Sequence, residues 1–83
     1  MFTLLKSKPD IEALKSEYKR ITTLNARLVA GNRAQNQTAV SSALDCERKL
    51  RQLGVPEFVI MRIARDAHIE VGAKLPDHLQ TVA

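Results

Sequence analysis

Residues Arg48–Arg65 read RKLRQLGVPEFVIMRIAR. The run carries helical spacing up to Leu53–Gly54–Val55, then a second apolar stretch that opens at Pro56. Glycine accepts the left-handed conformation that ends a helix, and proline fits the first turn of the next one. The segment therefore predicts two helices joined by a sharp corner, and it decides the fold class, all-α. The corner resembles a helix-turn-helix, whose turn is an apolar residue, a glycine and an apolar residue. Aligned on Gly54, Ile60 and Ile63 fall at the next two buried positions. Two departures count against the resemblance. Leu50 stands four before the glycine, where a small residue would let the helices cross closely. Lys49 stands where an apolar residue is expected.

The helix before the corner is expected over about 36–53, with Asn36 or Thr38 as cap. Its inner side would be Ala39, Val40, Ala43, Leu44, Cys46, Leu50 and Leu53. Glu47 precedes Arg51 by four, the favoured order for an intrahelical pair. The helix after the corner is expected over about 56–71, with Ile60, Ile63, Ala64, Ala67 and Val71 on one face. Gly72 and Pro76 close it. Residues 72–83 then form a tail in which Asp77 can cap a partial turn that packs Leu79 and Val82.

The first helix is expected over about 7–30. Ser7 can cap it, Pro9 fits its first turn, and Asp10 resembles the acidic end of a capping box. Gly31–Asn32 can end it in a left-handed cap. The polar stretch NRAQNQT that follows reads as loop or weak helix. Within the first helix, Ile11, Leu14, Tyr18, Ile21, Asn25 and Leu28 recur at steps of three and four. This is a heptad seam with Asn25 at an a-type position. The sharper reading is a paired helix whose buried asparagine sets register. The plainer one is an ordinary amphipathic helix with Asn25 at its wet edge and Leu24 in the core. The expected architecture is a helical hairpin with a third helix packed across it, one domain over 1–83.

Eighty-three residues give a thin core. Small chains often supplement such a core with disulfides, a metal or a partner subunit. The single cysteine, Cys46, makes no internal disulfide and favours a reducing compartment. Cys46, His68 and His78 lack close-ligand spacing, so no metal and no cofactor is expected. Oligomerisation is the supplement that remains, and a homo-oligomer held by the seam is expected. MFTLL is too short for a signal-peptide core and Lys6 follows at once. The longest run of large apolar residues is FVIM, far below the roughly 20 residues that span a bilayer. The expectation is a soluble, cytoplasmic protein with no membrane contact. The formal charge is +4, and residues 1–33 carry all of it, seven cations against three carboxylates. Such an excess suits solubility or weak attraction to polyanions.

Direct reading of DNA needs donors and acceptors at the start of the recognition helix. The sequence offers Pro56, Glu57, Phe58 and Met61 there, with only Arg62 suited to base edges. A DNA-binding regulator would rely on Arg48, Lys49, Arg51 and Arg62. Phe58 and Met61 lie on a side distinct from Ile60, Ile63 and Ala67, flanked by Arg62 and Arg65. Either the tail covers them, or they form an exposed patch. Aromatic residues, methionine and arginine are enriched where proteins meet. No Gly-rich phosphate loop and no Ser/His/Asp pattern argues for an enzyme. Asp45 and Glu47 beside Cys46 disfavour a thiolate. The function expected is a small non-enzymatic interaction module: an adaptor, assembly factor or inhibitor that binds a larger protein through Phe58, Met61, Arg62 and Arg65. A helix-turn-helix-like DNA-binding regulator is the alternative.

Overall fold

A computed structural model describes residues 10–80. These residues form three helices, α1 (Ile11–Ala30), α2 (Gln37–Gln52) and α3 (Glu57–Glu70), and a single turn, α4 (Asp77–Gln80). No strand occurs among the described residues. The protein is an all-α small helical bundle, as the corner and the apolar spacings predict.

The helix starts follow from capping chemistry. Asp10 is extended, and its carboxylate accepts the Ala13 backbone N–H at 3.2 Å. It is therefore the N-cap of α1 and not, as expected, an acid inside the first turn; Ser7 and Pro9 lie outside the described residues. Asn36 caps α2, accepting the Ala39 N–H at 3.1 Å, which resolves the choice between Asn36 and Thr38. Pro56 is extended just before α3, where its missing N–H costs nothing.

All three long helices end in one way. A residue with positive φ follows the last turn: Asn32 (φ 61°), Gly54 (φ 88°) and Gly72 (φ 71°). The N–H of the residue after it reaches back to a carbonyl in the last turn: Arg33 to Leu28, Val55 to Leu50, and Ala73 to His68. This is the Schellman closure, which satisfies carbonyls the helix leaves open. At the first end the left-handed residue is Asn32, not Gly31. Residues 31–36 are loop, so the question over NRAQNQT is answered for its first five residues.

α1 is the central element. α2 and α3 both pack along it, and they meet each other only sparingly near the corner. The core is Tyr18 and Ile21 from α1, Cys46 and Leu50 from α2, Ile60 and Ala64 from α3, and Leu79 from α4. Leu50 and Ile60 are almost wholly enclosed, which is worth about 1.5–3 kcal/mol each. Because α2 packs mainly on α1, its buried stripe is narrow. Leu44, expected inside, is 55% exposed. The tail is not structureless: α4 tucks Leu79 into the core, as the partial-turn reading anticipates, while Val82 lies outside the described residues.

Candidate functional site

The seam of α1 is occupied within the chain. Tyr18, Ile21 and Asn25 are buried, and Ile11 and Leu14 pack half-buried against the same core. Leu28 is half-buried at the far end. Asn25 is not at a wet edge. Its side-chain oxygen accepts the Asn36 backbone N–H at 2.8 Å and holds the loop that leads into α2. Leu24, the other candidate for that core position, is exposed. Pairing with a second chain through these residues would require α2 or α3 to leave.

Tyr18 anchors a polar chain across three helices. Its hydroxyl donates to Glu47 Oε2 at 2.7 Å. Arg51 donates to Glu47 Oε1 at 3.1 Å and makes a two-pronged contact with Glu57, at 2.8 and 2.9 Å. Burial, and then the Glu47 carboxylate beside it, push the Tyr18 hydroxyl well above the usual tyrosine range. The hydrogen bond from Arg51 holds Glu57 below the usual carboxylate range.

This chain bears directly on DNA reading. Arg51 is engaged by two carboxylates. Arg48 pairs with Asp45 at 2.6 Å, and Lys49 approaches the other oxygen of Asp45 at 3.4 Å. Arg48, Lys49 and Arg51, expected to face phosphate or bases, are thus engaged by the protein's own acids. The corner also lacks helix-turn-helix packing. Gly54 does hold the expected positive φ. Leu50, however, is sealed in the core, and α2 and α3 meet only sparingly.

The predicted patch on α3 divides. Met61 packs half-buried against the core, close to α4. Phe58 stays 56% exposed, uncovered by residues 72–80 of the tail. The Arg62 guanidinium lies 5.6 Å from the centre of the Phe58 ring, within the reach of a cation–π contact. Arg65 is half-buried; its Nε is shielded from water and has no hydrogen-bond partner among the described residues. Ile69, which sequence reasoning missed, is 49% exposed. Phe58, Arg62, Arg65 and Ile69 follow one another at steps of four, three and four, which places them on one side of the helix. That spacing is legible in the sequence.

Two other surfaces are concave. A cleft of about 260 Å³ opens between α2 and α3, floored by Tyr18, Thr22 and Asn25 and walled by Leu44 and His68. The Thr22 hydroxyl in it has no hydrogen-bond partner among the described residues. His68 Nδ1 lies 2.7 Å from the Ala64 carbonyl and donates to it. A second, open hollow runs along the outer side of α1, past Arg20, Leu24 and Arg27. Cys46 is buried, and burial pushes its thiol up, which opposes nucleophilic use. No group of three or more metal-ligating side chains occurs among the described residues. No helix among them is long and apolar enough to cross a membrane.

No protein-family model, no curated protein and no solved structure matches the chain.

Proposed function

We propose that this protein is a small non-enzymatic interaction module. It binds a larger protein as an adaptor, assembly factor or inhibitor, through the outward side of α3. The observation that carries the reading is the half-exposed Phe58 under the Arg62 guanidinium, with Ile69 exposed on the same side. Exposed aromatics beside arginine are the usual anchors of protein interfaces, and burying them supplies binding energy that a lone rim charge does not. The engagement of Arg48, Lys49 and Arg51 by carboxylates weighs against a DNA-binding regulator, because phosphate contacts would have to replace existing ion pairs. The buried, lone cysteine is in keeping with a cytoplasmic setting.

The test is a pair of variants, Phe58→Ala and Arg48→Ala, each checked for folding by circular dichroism. Under this reading Phe58→Ala loses the stoichiometric complex that wild-type protein forms, Arg48→Ala keeps it, and salt affects it little. A complex with duplex DNA that weakens steeply with salt and survives Phe58→Ala would overturn it.

A further inference from the structure

The cleft between α2 and α3 follows from the way the helices lean. Both pack on α1 and meet each other only sparingly, which leaves a space of about 260 Å³ between them. α1 floors it, α2 and α3 wall it, and Pro76 and Leu79 of the tail line it as well. Its volume falls just under the roughly 300 Å³ at which small-molecule sites usually begin. Ala26, Val40, Ala43, Leu44 and Pro76 supply an apolar bed. Leu44, 55% exposed, is a large apolar side chain that the fold itself leaves open there.

A buried donor sits beside this bed. Asn25 lines the cleft, is only 6% exposed, and its Oδ1 accepts the Asn36 backbone N–H at 2.8 Å. An N–H can face only the oxygen of a side-chain amide, so the orientation of Asn25 is fixed and its amino group is what it has left to offer. That group has no hydrogen-bond partner among the described residues. Nor is it sealed from the outside, as the Thr22 hydroxyl is. Leaving a buried donor unpaired is unfavourable, and a carbonyl oxygen in the cleft would satisfy it. The His68 ring gives Nδ1 to the Ala64 carbonyl and keeps Nε2 for another partner. In a singly protonated ring that nitrogen accepts, so it suits an N–H.

The charges around the cleft favour a neutral occupant. Glu47 is the only carboxylate among the lining residues, and Tyr18 and Arg51 already hold it. No lysine or arginine is among them, so an anion would gain no such cation and would meet Glu47. Gln35 and His78 complete the polar lining and are exposed. We propose that the cleft binds a small neutral molecule that carries an amide beside a branched aliphatic group. The amide oxygen accepts from the Asn25 amino group, the amide N–H donates to His68 Nε2, and the aliphatic group lies against Leu44 and Pro76. Phe58 is not among the lining residues, so this site does not rest on the interaction-module reading.

The probe is isovaleramide, titrated into the full chain and followed by proton–nitrogen correlation NMR at about pH 8, where a free imidazole carries one proton. One control is isovalerate, of the same shape but charged. The other is N,N-dimethylisovaleramide, which keeps the carbonyl and lacks the N–H. Isovaleramide is expected to shift the Asn25 side-chain amide and the Leu44 backbone amide saturably, with a Kd of about 1 mM, as suits so small a ligand. Each control should bind about tenfold more weakly or worse. Asn25→Asp keeps an acceptor for the Asn36 N–H and removes the amino group, so it should stay folded and lose about tenfold or more in affinity. Leu44→Glu changes an exposed wall, so it should also stay folded and lose binding. Phe58→Ala should bind as wild type does. Circular dichroism checks the fold of each variant.

Absence of a saturable shift at Asn25 overturns the inference. Isovalerate bound as tightly as the amide also overturns it, since an apolar contact would then suffice. A folded Asn25→Asp protein with wild-type affinity removes the amino group as the recognising donor and has the same effect. Should that variant fail to fold, Leu44→Glu decides, and unchanged binding there overturns the cleft as the site. N-acetylleucine N-methylamide bound far more tightly than isovaleramide would overturn the small-molecule source in favour of a peptide segment.

Discussion

Tyr18 on α1 donates its hydroxyl to Glu47 on α2 at 2.7 Å, and Glu47 is in turn held by Arg51. The contact ties the central helix to its neighbour at the level where α4 seats Leu79. Removing the hydroxyl in Tyr18→Phe leaves Glu47 half-buried with only Arg51, so stability should fall by about 1–2 kcal/mol. The contact also has a pH signature. Burial and Glu47 raise the Tyr18 pKa above its ordinary value of about 10. Above that pH the unfolded chain releases the phenolic proton while the folded one retains it. Stability from this group is complete below about pH 10 and declines as pH rises beyond it. Tyr18 is the only tyrosine and the chain has no tryptophan, so near-ultraviolet phenolate absorbance follows it alone. A folded protein titrating at the ordinary value would contradict the contact, as would urea midpoints that fall equally in Tyr18→Phe above pH 10.

Asn25→Leu distinguishes the two possible uses of the α1 seam. In a helix paired with a second chain, leucine at this position would raise stability and loosen register. In this fold it removes the acceptor for the Asn36 N–H and crowds a loop packed at 2.8 Å. The expected result is a loss of about 1 kcal/mol or more in urea unfolding. A gain in stability would return the seam to an intermolecular role.

The spacing on α1 identified the right residues and could not identify their partner. A heptad seam packs equally well against a neighbour in the same chain or in another, because three- and four-residue steps describe only the helix that carries them. The helix ends were legible because their causes are local: Gly54 and Gly72 supply positive φ, and Asn36 caps. Leu44 was misread for the opposite reason. Its exposure depends on α3 leaning mainly on α1 and little on α2, a fact of packing with no local signature. Ile69 shares the side of Phe58 by spacing alone, but spacing does not tell whether that side is covered, and its exposure is a fact of packing.

Gly54 isolates conformational strain from crowding. Its φ is 88°, yet an added Cβ would meet nothing within 4 Å. Gly54→Ala and Gly54→Val should each cost about 1 kcal/mol or more through backbone strain, with Val the worse, and Gly54→Asn should cost less. Equal melting of all four proteins would show that the corner does not require a left-handed residue.

Arg51→Gln tests the surface network. Glu57 is held below the usual carboxylate range chiefly by its hydrogen bond from Arg51. A depressed carboxylate contributes stability above its unfolded pKa, and that contribution is lost as pH falls through the folded value. Both side chains are about half exposed, so solvent screens the pair and the stability change should be small. Carboxyl-carbon NMR is the sharper measure. Glu57 should titrate below 4.5 in the wild type and move back towards it in Arg51→Gln. An unmoved titration would remove Arg51 as the cause.

The last prediction separates binding from folding on α3. Phe58 and Ile69 are about half exposed, so truncating them removes little buried surface. Alanine is also the better helix former, which offsets part of any loss. Phe58→Ala and Ile69→Ala should therefore each change stability by under about 1 kcal/mol. Met61 differs because it packs against the core beside Ile60, and Met61→Ala should cost about 1–2 kcal/mol, below the range for a fully buried methionine. Thermal or urea melts of the three variants check the order. If Phe58→Ala melts like Met61→Ala or worse, Phe58 belongs to the core and any loss of binding in that variant would report on folding. If it melts like wild type while a complex is lost, the ring acts on a partner and not on its own fold.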